Sequence, residues 1–397
     1  MATFSAQFLG CKVSQADAQA LRERLLADGH REAAGDVDVA VVNGCCVTHE
    51  AVRKSRSAAR RAARAAKRVY VTGCAAQLDG AFADLPGNVR VVPLAAEETP
   101  GFVAADVGPI GCVNAAAGLG RVRAFVKAQD GCSFGCSFCV IPQVRGPSRS
   151  RPAANVLAEV ARRVEQGHRE VVLTGINLGC YRDRAARADL AALVRAVGAT
   201  PGLARLRLSS IEVNHLSDPL LAALRETPTG APHLHVPLQS GDDAVLRSMS
   251  RRYSVATYLR RVAAAEGFNL ATDVIVGFPT EDEAAFTRTL DAVAASGATK
   301  VHVFPYSPRP GTRTAADDVV PPAVKKERSA RLRALSDAAS RRRWEERVGD
   351  EDIVLVDRPG RGYGNDYSPW LVDAPVGELV RVRAIGVGEE GIVGVAA

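Results

Sequence analysis

The chain has few aromatic residues, only two tryptophans and two methionines, and no long apolar run. Aromatic side chains make up 5% of its 397 residues, although hydrophobic residues reach 47%, which is enough for a packed core. No stretch approaches the roughly 20 consecutive apolar residues of a membrane-spanning helix. The first eight residues, MATFSAQF, lack the basic start and apolar centre of a signal peptide. We therefore expect a cytoplasmic protein with no membrane partner.

The chain does contain nine cysteines, which in the cytoplasm stay reduced or bind metal. Cys132, Cys136 and Cys139 lie in the stretch GCSFGCSFC, with the spacing CxxxCxxC, directly after a strand-like run. Three thiolates on one loop can hold three irons of a 4Fe–4S cluster and leave the fourth iron open. A structural zinc site normally has four ligands, and no fourth candidate lies nearby in the sequence. The spacing therefore predicts an iron–sulfur cluster.

A second set of cysteines follows three strand-like runs in the first hundred residues. The runs 4–9, 37–42 and 69–71 lead to Cys11, Cys45 and Cys74, each of which follows a glycine. Helical periodicity between the runs, over 16–28 and about 50–67, predicts a parallel sheet whose strand ends share one edge. Ligands of open α/β sheets bind at that edge. The recurrence favours a second three-thiol site over three unrelated buried thiols.

Three further cysteines have no such pattern. Cys46 is adjacent to Cys45, so the spacing alone leaves open which of the two would be a ligand. Cys112 and Cys180 have no partner at a diagnostic spacing, and we interpret them as incidental.

The net charge of +7 is unevenly distributed. The basic excess lies in residues 101–340, whereas residues 341–397 are more acidic than basic. Residues 51–68, which include most of the second predicted helix, contain several arginines and lysines and no acidic residue. Such a helix can be a solvated face or a surface that contacts RNA or phosphate, and both interpretations stay open.

From about residue 122 the pattern alternates between strands and helices. Strands are predicted at 122–128, 170–176, 205–211, 233–238, 271–277 and 300–305, and helices at 153–167, 189–198, 218–226, 254–266 and 281–296. Six such units form a barrel or partial barrel that binds ligands at the carboxyl ends of its strands. Asn177, Ser209, Glu212 and Gln239 lie at those ends. A histidine metal site is not predicted, because isolated strand histidines are usually hydrogen-bonded core residues.

The remaining residues are typical of a different architecture. A basic helix at 323–347 precedes short β segments separated by Gly, Pro, Asn and Asp, which indicate a small β-barrel. The predicted domains are residues 1–100, a linker at 101–119, a barrel at 120–340 and the β-barrel at 341–397. The predicted fold class is α/β.

Several stretches together resemble a known family over nearly the whole chain. They are GCKVSQ (10–15), NGCCVT (43–48), VTGCAAQ (71–77), CSFGCSFCVIP (132–142), SSIE (209–212), VGFPTE (276–281) and HVFPYS (302–307). This combination resembles the radical S-adenosylmethionine (SAM) methylthiotransferases. Within that family it is most similar to the enzymes that act on N6-threonylcarbamoyladenosine in tRNA.

The resemblance implies an N-terminal methylthiotransferase domain, a partial (β/α)6 radical SAM barrel and a C-terminal barrel of the TRAM type. It implies two 4Fe–4S clusters, one on Cys11, Cys45 and Cys74 and one on Cys132, Cys136 and Cys139, with SAM as radical source and methyl donor. Candidate contacts to SAM are Phe138, Gly175, Asn177, Ser209, Glu212 and Gln239. The implied partners are the anticodon stem-loop of tRNA, an electron donor and a sulfur source.

The implied reaction attaches a methylthio group to C2 of N6-threonylcarbamoyladenosine at position 37 of tRNA. One alternative is a sister enzyme that acts on isopentenyladenosine in tRNA or on an aspartate of a ribosomal protein. Another is a catalytically silent iron–sulfur protein that binds RNA. The presence of all six cluster cysteines argues against the silent protein.

Overall fold

A five-stranded parallel sheet, with the strand order β2-β1-β3-β4-β5, forms the N-terminal unit of the computed structural model, which describes residues 1–92 and 122–397. Its elements are β1 (Thr3–Phe8), α1 (Lys12–Ala27), β2 (Arg31–Glu32), β3 (Val37–Gly44), α2 (His49–Ala65), β4 (Ala66–Gly73) and β5 (Val89–Val91). β3 is almost entirely buried, as expected for a central parallel strand covered on both faces. Thr48 caps α2 by accepting a hydrogen bond from the backbone N–H of Ala51.

The central unit consists of two three-stranded parallel sheets, β12-β9-β6 and β13-β14-β15. A parallel bridge between Leu206 and Gly230 brings β12 next to β13, which gives the spatial order β6-β9-β12-β13-β14-β15. Helices α5 to α9 each begin behind an Asp or Ser side chain that accepts a backbone N–H of the first turn. The result is a partial barrel with one mouth, formed by the carboxyl ends of its six strands.

The elements between residues 122 and 346 follow one another in chain order. They are β6 (Arg123–Lys127), β7 (Gln129–Asp130), α3 (Ile141–Arg145), β8 (Arg149–Ser150), α4 (Ala153–Glu165), β9 (Glu170–Thr174), β10 (Arg182–Asp183), β11 (Ala188–Asp189), α5 (Leu190–Gly198), β12 (Arg205–Leu208), α6 (Asp218–Glu226), β13 (His233–His235), α7 (Asp243–Ser248), α8 (Val255–Ala263), β14 (Asn269–Val276), α9 (Glu283–Ala295), β15 (Lys300–Pro305) and α10 (Pro322–Glu346).

A small closed barrel, β16-β17-β18-β20-β19, ends the chain around the fully buried Trp370. Its strands are β16 (Glu351–Arg358), β17 (Arg361–Tyr363), β18 (Pro369–Leu371), β19 (Leu379–Val387) and β20 (Ile392–Ala396). It docks against the amino ends of the partial-barrel strands. There the fully buried Glu170 accepts hydrogen bonds from Arg205 and Arg207, both at 2.9 Å. Both arginines also donate to backbone carbonyls of the closed barrel.

The N-terminal unit lies across the side gap between β6 and β15. Asp17 on α1 pairs with Lys127 at the end of β6, with 2.6 Å between Oδ1 and Nζ. Beyond β15, Arg309 donates to the backbone carbonyl of Cys46 at 3.0 Å. The face of α1 toward the barrel is buried and unusually polar, because it contacts charged groups of the second unit.

The structure confirms the predicted fold class, including the parallel N-terminal sheet, the partial barrel and the C-terminal barrel. Two short helices, α3 and α7, were not predicted, and neither were the short strands β2, β5, β7, β8, β10 and β11. The predicted domain limits stay predictions, and the linker at 101–119 falls outside the described residues. Within residues 1–92 and 122–397, no helix combines the length and the apolar character that crossing a membrane requires.

Candidate iron–sulfur and cofactor sites

The structure brings Cys11, Cys45 and Cys74 together at one edge of the N-terminal sheet. They follow β1, β3 and β4, and Cys11 also precedes the first turn of α1. Burial, with a contribution from the Cys11 and Cys74 thiols, raises the pKa of Cys45 to about 11. Cys11 is accessible to solvent, yet desolvation by the surrounding protein raises its pKa. The three thiols therefore lie around a recess that is open on the Cys11 side.

Two of the glycines that precede these cysteines are required by the geometry. Gly10 and Gly73 have φ of +125° and +84°, a region that side chains with a Cβ rarely adopt. A Cβ on Gly10 would lie 2.9 Å from Cβ of Cys45, and one on Gly73 would lie 2.1 Å from Oδ1 of Asn43. The glycines thus allow the three strand ends to approach one another closely.

Cys46 lies in the core behind the three-thiol recess. Cys46 is fully buried, and a hydrogen bond between the Cys46 and Cys74 side chains raises the pKa of Cys46 and lowers that of Cys74. Cys45, by contrast, interacts with both Cys11 and Cys74. The arrangement favours Cys45 as the third member of the set.

Arg145 connects this recess with the central unit. It is the last residue of α3, the helix that follows the CxxxCxxC loop, and its side chain is 1% exposed. Its Nε donates to Sγ of Cys74 at 2.9 Å, while Nη1 and Nη2 donate to Asp130 and Asp17 at 3.0 and 2.8 Å. One buried guanidinium therefore holds a cysteine of the first set from the segment that carries the second set.

The CxxxCxxC loop gathers Cys132, Cys136 and Cys139 beside the barrel mouth. The backbone N–H of Phe134 donates to Sγ of Cys132, and Arg251 donates to Sγ of Cys136, both at 3.4 Å. The pKa of Cys139 is raised to about 12, mainly by burial and also by the charges of Cys136 and Cys132. The structure thus forms a second set of three thiols with cationic support.

The predicted SAM contacts lie around the same mouth. Phe138 packs edge-to-face on Phe278 with ring centroids 6.2 Å apart. The Ser209 hydroxyl accepts from the backbone N–H of Gly175 at 3.3 Å, and the side chain of Asn177 reaches Cys132. Gly175 is required because a Cβ at this position would lie 2.8 Å from Oε1 of Gln129.

Glu212 and Gln239 complete the predicted set on the other side of the mouth. Glu212 lies 3.5 Å from a nitrogen of Arg251, the arginine that contacts Cys136. Gln239 has a φ of +68°, and its backbone N–H donates to the carbonyl of Asp273 at 2.8 Å. Of the six predicted residues, Phe138 belongs to the cysteine loop, and Asn177 and Glu212 connect to it through Cys132 and Arg251. The other three, Gly175, Ser209 and Gln239, follow β9, β12 and β13 at the mouth.

Several buried polar atoms near the two thiol sets have no hydrogen-bond partner among the described residues. Ser14 Oγ, Asn43 Oδ1 and Thr72 Oγ1 belong to the first recess, and Thr174 Oγ1 and Asn177 Oδ1 belong to the barrel mouth. A buried polar atom without a partner costs free energy and calls for a bound group. Both sites are therefore consistent with a polar or inorganic occupant.

Cys180 lies closer to the barrel mouth than its sequence position indicated. Its Sγ is 3.2 Å from Nε2 of His215, and Cys132 contributes to the rise in its pKa after burial. His215 in turn stacks on Phe134 of the cysteine loop. Cys112 lies outside the described residues.

The basic surface of α2 is smaller than the sequence indicated. Arg56 and Arg60 both pair with Asp84, which lies outside the helix. Arg61 and Arg64 are exposed and have no ion-pair partner in residues 1–92 or 122–397. Glu50, in the first turn of α2, also pairs with Arg53 and Lys54. Neutralisation therefore comes both from the start of the helix and from a neighbouring segment.

Some of the basic side chains of α10 are likewise buried in ion pairs. Lys325 pairs with Asp318, and the buried Arg328 pairs with Glu281 at 2.7 Å. Lys326 is exposed. Part of the basic character that the sequence shows in this helix therefore serves packing.

Sequence reasoning missed the arginines that contact the thiols. Arg145 follows Cys139 by six positions, and this proximity was the only local signal for its contact with Cys74. Arg251, which contacts Cys136, comes from a distant part of the chain. Contacts of this kind depend on the tertiary fold, so spacing could not indicate them.

Comparison with known proteins agrees with this geometry. The Radical SAM superfamily matches residues 126–293, and the Uncharacterized protein family UPF0004 matches residues 3–92. Threonylcarbamoyladenosine tRNA methylthiotransferase MtaB of Chlamydia pneumoniae is 35% identical, over 99% of this chain and 97% of its own length. The tRNA-2-methylthio-N(6)-dimethylallyladenosine synthase of Sphingopyxis alaskensis is 34% identical, over 97% and 96%.

Among solved structures, the radical SAM methyltransferase TsrM from Kitasatospora setae, with cobalamin and a 4Fe–4S cluster bound, aligns with a TM-score of 0.53. The two sequences are 16% identical, and the alignment covers 75% of this chain and 73% of the TsrM chain. The match therefore supports the fold alone. The family match confirms the prediction of iron–sulfur and SAM chemistry. The chain is an enzyme of the radical SAM methylthiotransferase family.

Proposed function

We propose that this enzyme transfers a methylthio group to C2 of N6-threonylcarbamoyladenosine at position 37 of tRNA. The observation that carries the proposal is the pair of three-thiol sites joined through Arg145, which lies between Cys74 and the CxxxCxxC segment. Full-length relatives with tRNA methylthiotransferase names support the reaction class. A tRNA substrate also implies that the enzyme works in the cytoplasm.

Each thiol set would hold one 4Fe–4S cluster and leave one iron without a protein ligand. Cys132, Cys136 and Cys139 would hold the cluster that binds SAM, and Cys11, Cys45 and Cys74 the cluster that carries the sulfur. The unpartnered buried atoms beside both recesses support this assignment, since a bound group would satisfy them.

When bound, these groups supply the one-electron cleavage of SAM, the sulfur atom and the methyl group. A radical is needed because C2 of adenine carries an unactivated C–H bond that a side-chain base does not break. The protein holds the reactants and excludes water. Asn177, Ser209, Glu212 and Gln239 would orient SAM across the mouth, and Phe138 would cover it.

The outer rim of the mouth offers positive charge for the RNA backbone. Arg149 is 59% exposed, and Arg252 lies over the Phe134 ring at 5.7 Å. Arg313 is anchored beside the cysteine loop. Exposed arginines at the entrance would place the anticodon stem-loop with its base toward the two thiol sets.

Relatives bearing two substrate names match this chain to a similar degree, so the modified base must be tested directly. The experiment is mass spectrometry of tRNA nucleosides from a strain that lacks the gene, with and without complementation. Loss and recovery of the methylthiolated threonylcarbamoyladenosine is the expected result. An unchanged level of that nucleoside, with loss of methylthio-isopentenyladenosine, would assign the sister activity. An intact set of both nucleosides would point to the ribosomal-protein aspartate.

A further inference from the structure

The inner face of the second half-barrel carries a cluster of polar side chains that the proposed chemistry does not use. His235 Nε2 lies 2.8 Å from Asp273 Oδ1, and the rings of His235 and His302 are 5.2 Å apart. One ligand-type atom from each of the three residues lies within 4.8 Å of the other two. Asp273 and His302 are direct neighbours across β14 and β15. The three residues thus form one polar wall below the mouth.

Lys12 reaches this wall from the N-terminal unit. It is the first residue of α1, adjacent to Cys11, and interacts electrostatically with Asp273, His302 and Tyr367. Within the described residues, its ammonium group makes no hydrogen bond or ion pair. A cation placed toward the inside of a protein without a counter-ion is a candidate binding group for an anion.

The wall borders space and not packed core. Lys12, His235 and Asp273 are half-buried, and His302 is exposed. None of the four side chains is enclosed in the core, so solvent reaches the space that they line. Two positions beyond His302 on the same face of β15, Phe304 is 41% exposed. An exposed aromatic ring near the mouth is a platform on which a base can stack.

The charge of the recess favours an anion over a metal ion. The charged groups that interact with Lys12 include Arg123 and Arg207, and the carboxylate of Asp273 is already bonded to His235. A divalent cation would have to bind beside these positive charges. An anionic ligand would instead provide the counter-ion that Lys12 lacks.

We propose that Lys12, His235, Asp273 and His302 form a pocket for the amino-acid end of the N6 substituent, with Phe304 against the adenine. This inference rests on the proposed function. The threonylcarbamoyl group ends in a carboxylate and a hydroxyl, which match the ammonium of Lys12 and the His–Asp pair. An isopentenyl group has neither, so the pocket would distinguish the two modified adenosines.

The test compares two anticodon stem-loop RNAs, one with threonylcarbamoyladenosine and one in which its carboxylate is a neutral carboxamide. For the reconstituted enzyme we measure both the Kd of each hairpin and kcat/KM for methylthiolation. Wild type should favour the carboxylate by about 10- to 100-fold, the usual effect of one charge-assisted hydrogen bond. Lys12→Gln should reduce this ratio to near one, even where a disturbed Cys11 slows both reactions. The exposed Lys326→Gln is the matched control and should keep the wild-type ratio.

Each contrary outcome identifies which idea fails. Equal affinity of wild type for both hairpins, or an unchanged ratio in Lys12→Gln, would overturn the pocket while leaving the reaction intact. Absence of methylthiolation of both hairpins, with normal SAM cleavage, would overturn the proposed function and the pocket with it. A non-iron divalent metal in the purified protein that Asp273→Asn removes would show that the three side chains are metal ligands, which also overturns the pocket.

Discussion

The buried carboxylate of Glu170 offers a sharp test of how the closed barrel is held. It accepts hydrogen bonds from Arg205 and Arg207 at 2.9 Å and is fully buried. Glu170→Gln keeps the shape but leaves two buried guanidinium groups without their counter-ion. Removing one partner of a buried ion pair costs about 3–5 kcal/mol, so we expect a loss of that size in the free energy of unfolding.

Burial, and not distance, is responsible for this magnitude, and the chain contains a matched control. Glu226 lies at the same 2.9 Å from Arg195, but the two side chains are 62% and 47% exposed. An exposed pair contributes only about 0–1 kcal/mol, so Glu226→Gln should change stability little.

Tryptophan fluorescence during urea unfolding measures the effect where it is expected. The chain has two tryptophans: Trp370 lies in the core of the closed barrel, and Trp344 packs against that core. Glu170→Gln should lower the fluorescence midpoint clearly more than Glu226→Gln does. Equal midpoints for the two variants would refute the argument that buried ion pairs hold the closed barrel in place.

Three further predictions concern the clusters, acid stability and RNA binding. Cys136→Ala should abolish SAM cleavage by the reduced protein, whereas Cys74→Ala should retain cleavage and lose sulfur transfer; equal loss of cleavage would contradict the division of roles. Burial raises the pKa of Asp366, but Arg347, the hydrogen bonds from Ser368 and the charge of Arg343 together lower it, so the stabilisation by this carboxylate is present at neutral pH and is lost as the pH falls below about 4. The gap in urea midpoint between wild type and Asp366→Asn should therefore narrow from pH 7 to pH 3, and a constant gap would exclude a role of ionisation. Reversing the charges of Arg61 and Arg64 should weaken tRNA binding and flatten its salt dependence, while unchanged binding would make this face of α2 a solvated surface.

Hydrophobic periodicity in the sequence was sufficient to predict the longer strands and helices, because each has a characteristic repeat of buried positions. The three Gly-Cys strand ends predicted one shared edge, because parallel connections place strand ends together and Gly10 and Gly73 need positive φ. The same logic located the six strands of the partial barrel, which are β6, β9, β12, β13, β14 and β15. It did not find the five-residue helix α3, which is too short to show a helical period.

The contacts of the sites could not be predicted from spacing. Arg145 reaches Cys74 across 71 positions of sequence, and Asp84 neutralises α2 from outside the helix. Lys12 and His302 are 290 positions apart and meet only because the N-terminal unit covers the side gap of the barrel. Ion pairing between distant segments depends on the packed fold, so composition and periodicity give no information about it.

The barrel is blocked at its amino end by the closed barrel and covered along its open side by the N-terminal unit. The carboxyl-end mouth is then the main route for every molecule that enters or leaves. We therefore expect SAM to bind before the RNA covers the entrance, and bound RNA to hinder the departure of the fragments of spent SAM. We expect ordered kinetics, in which a tightly held tRNA slows the exchange of SAM between the two stages of one turnover.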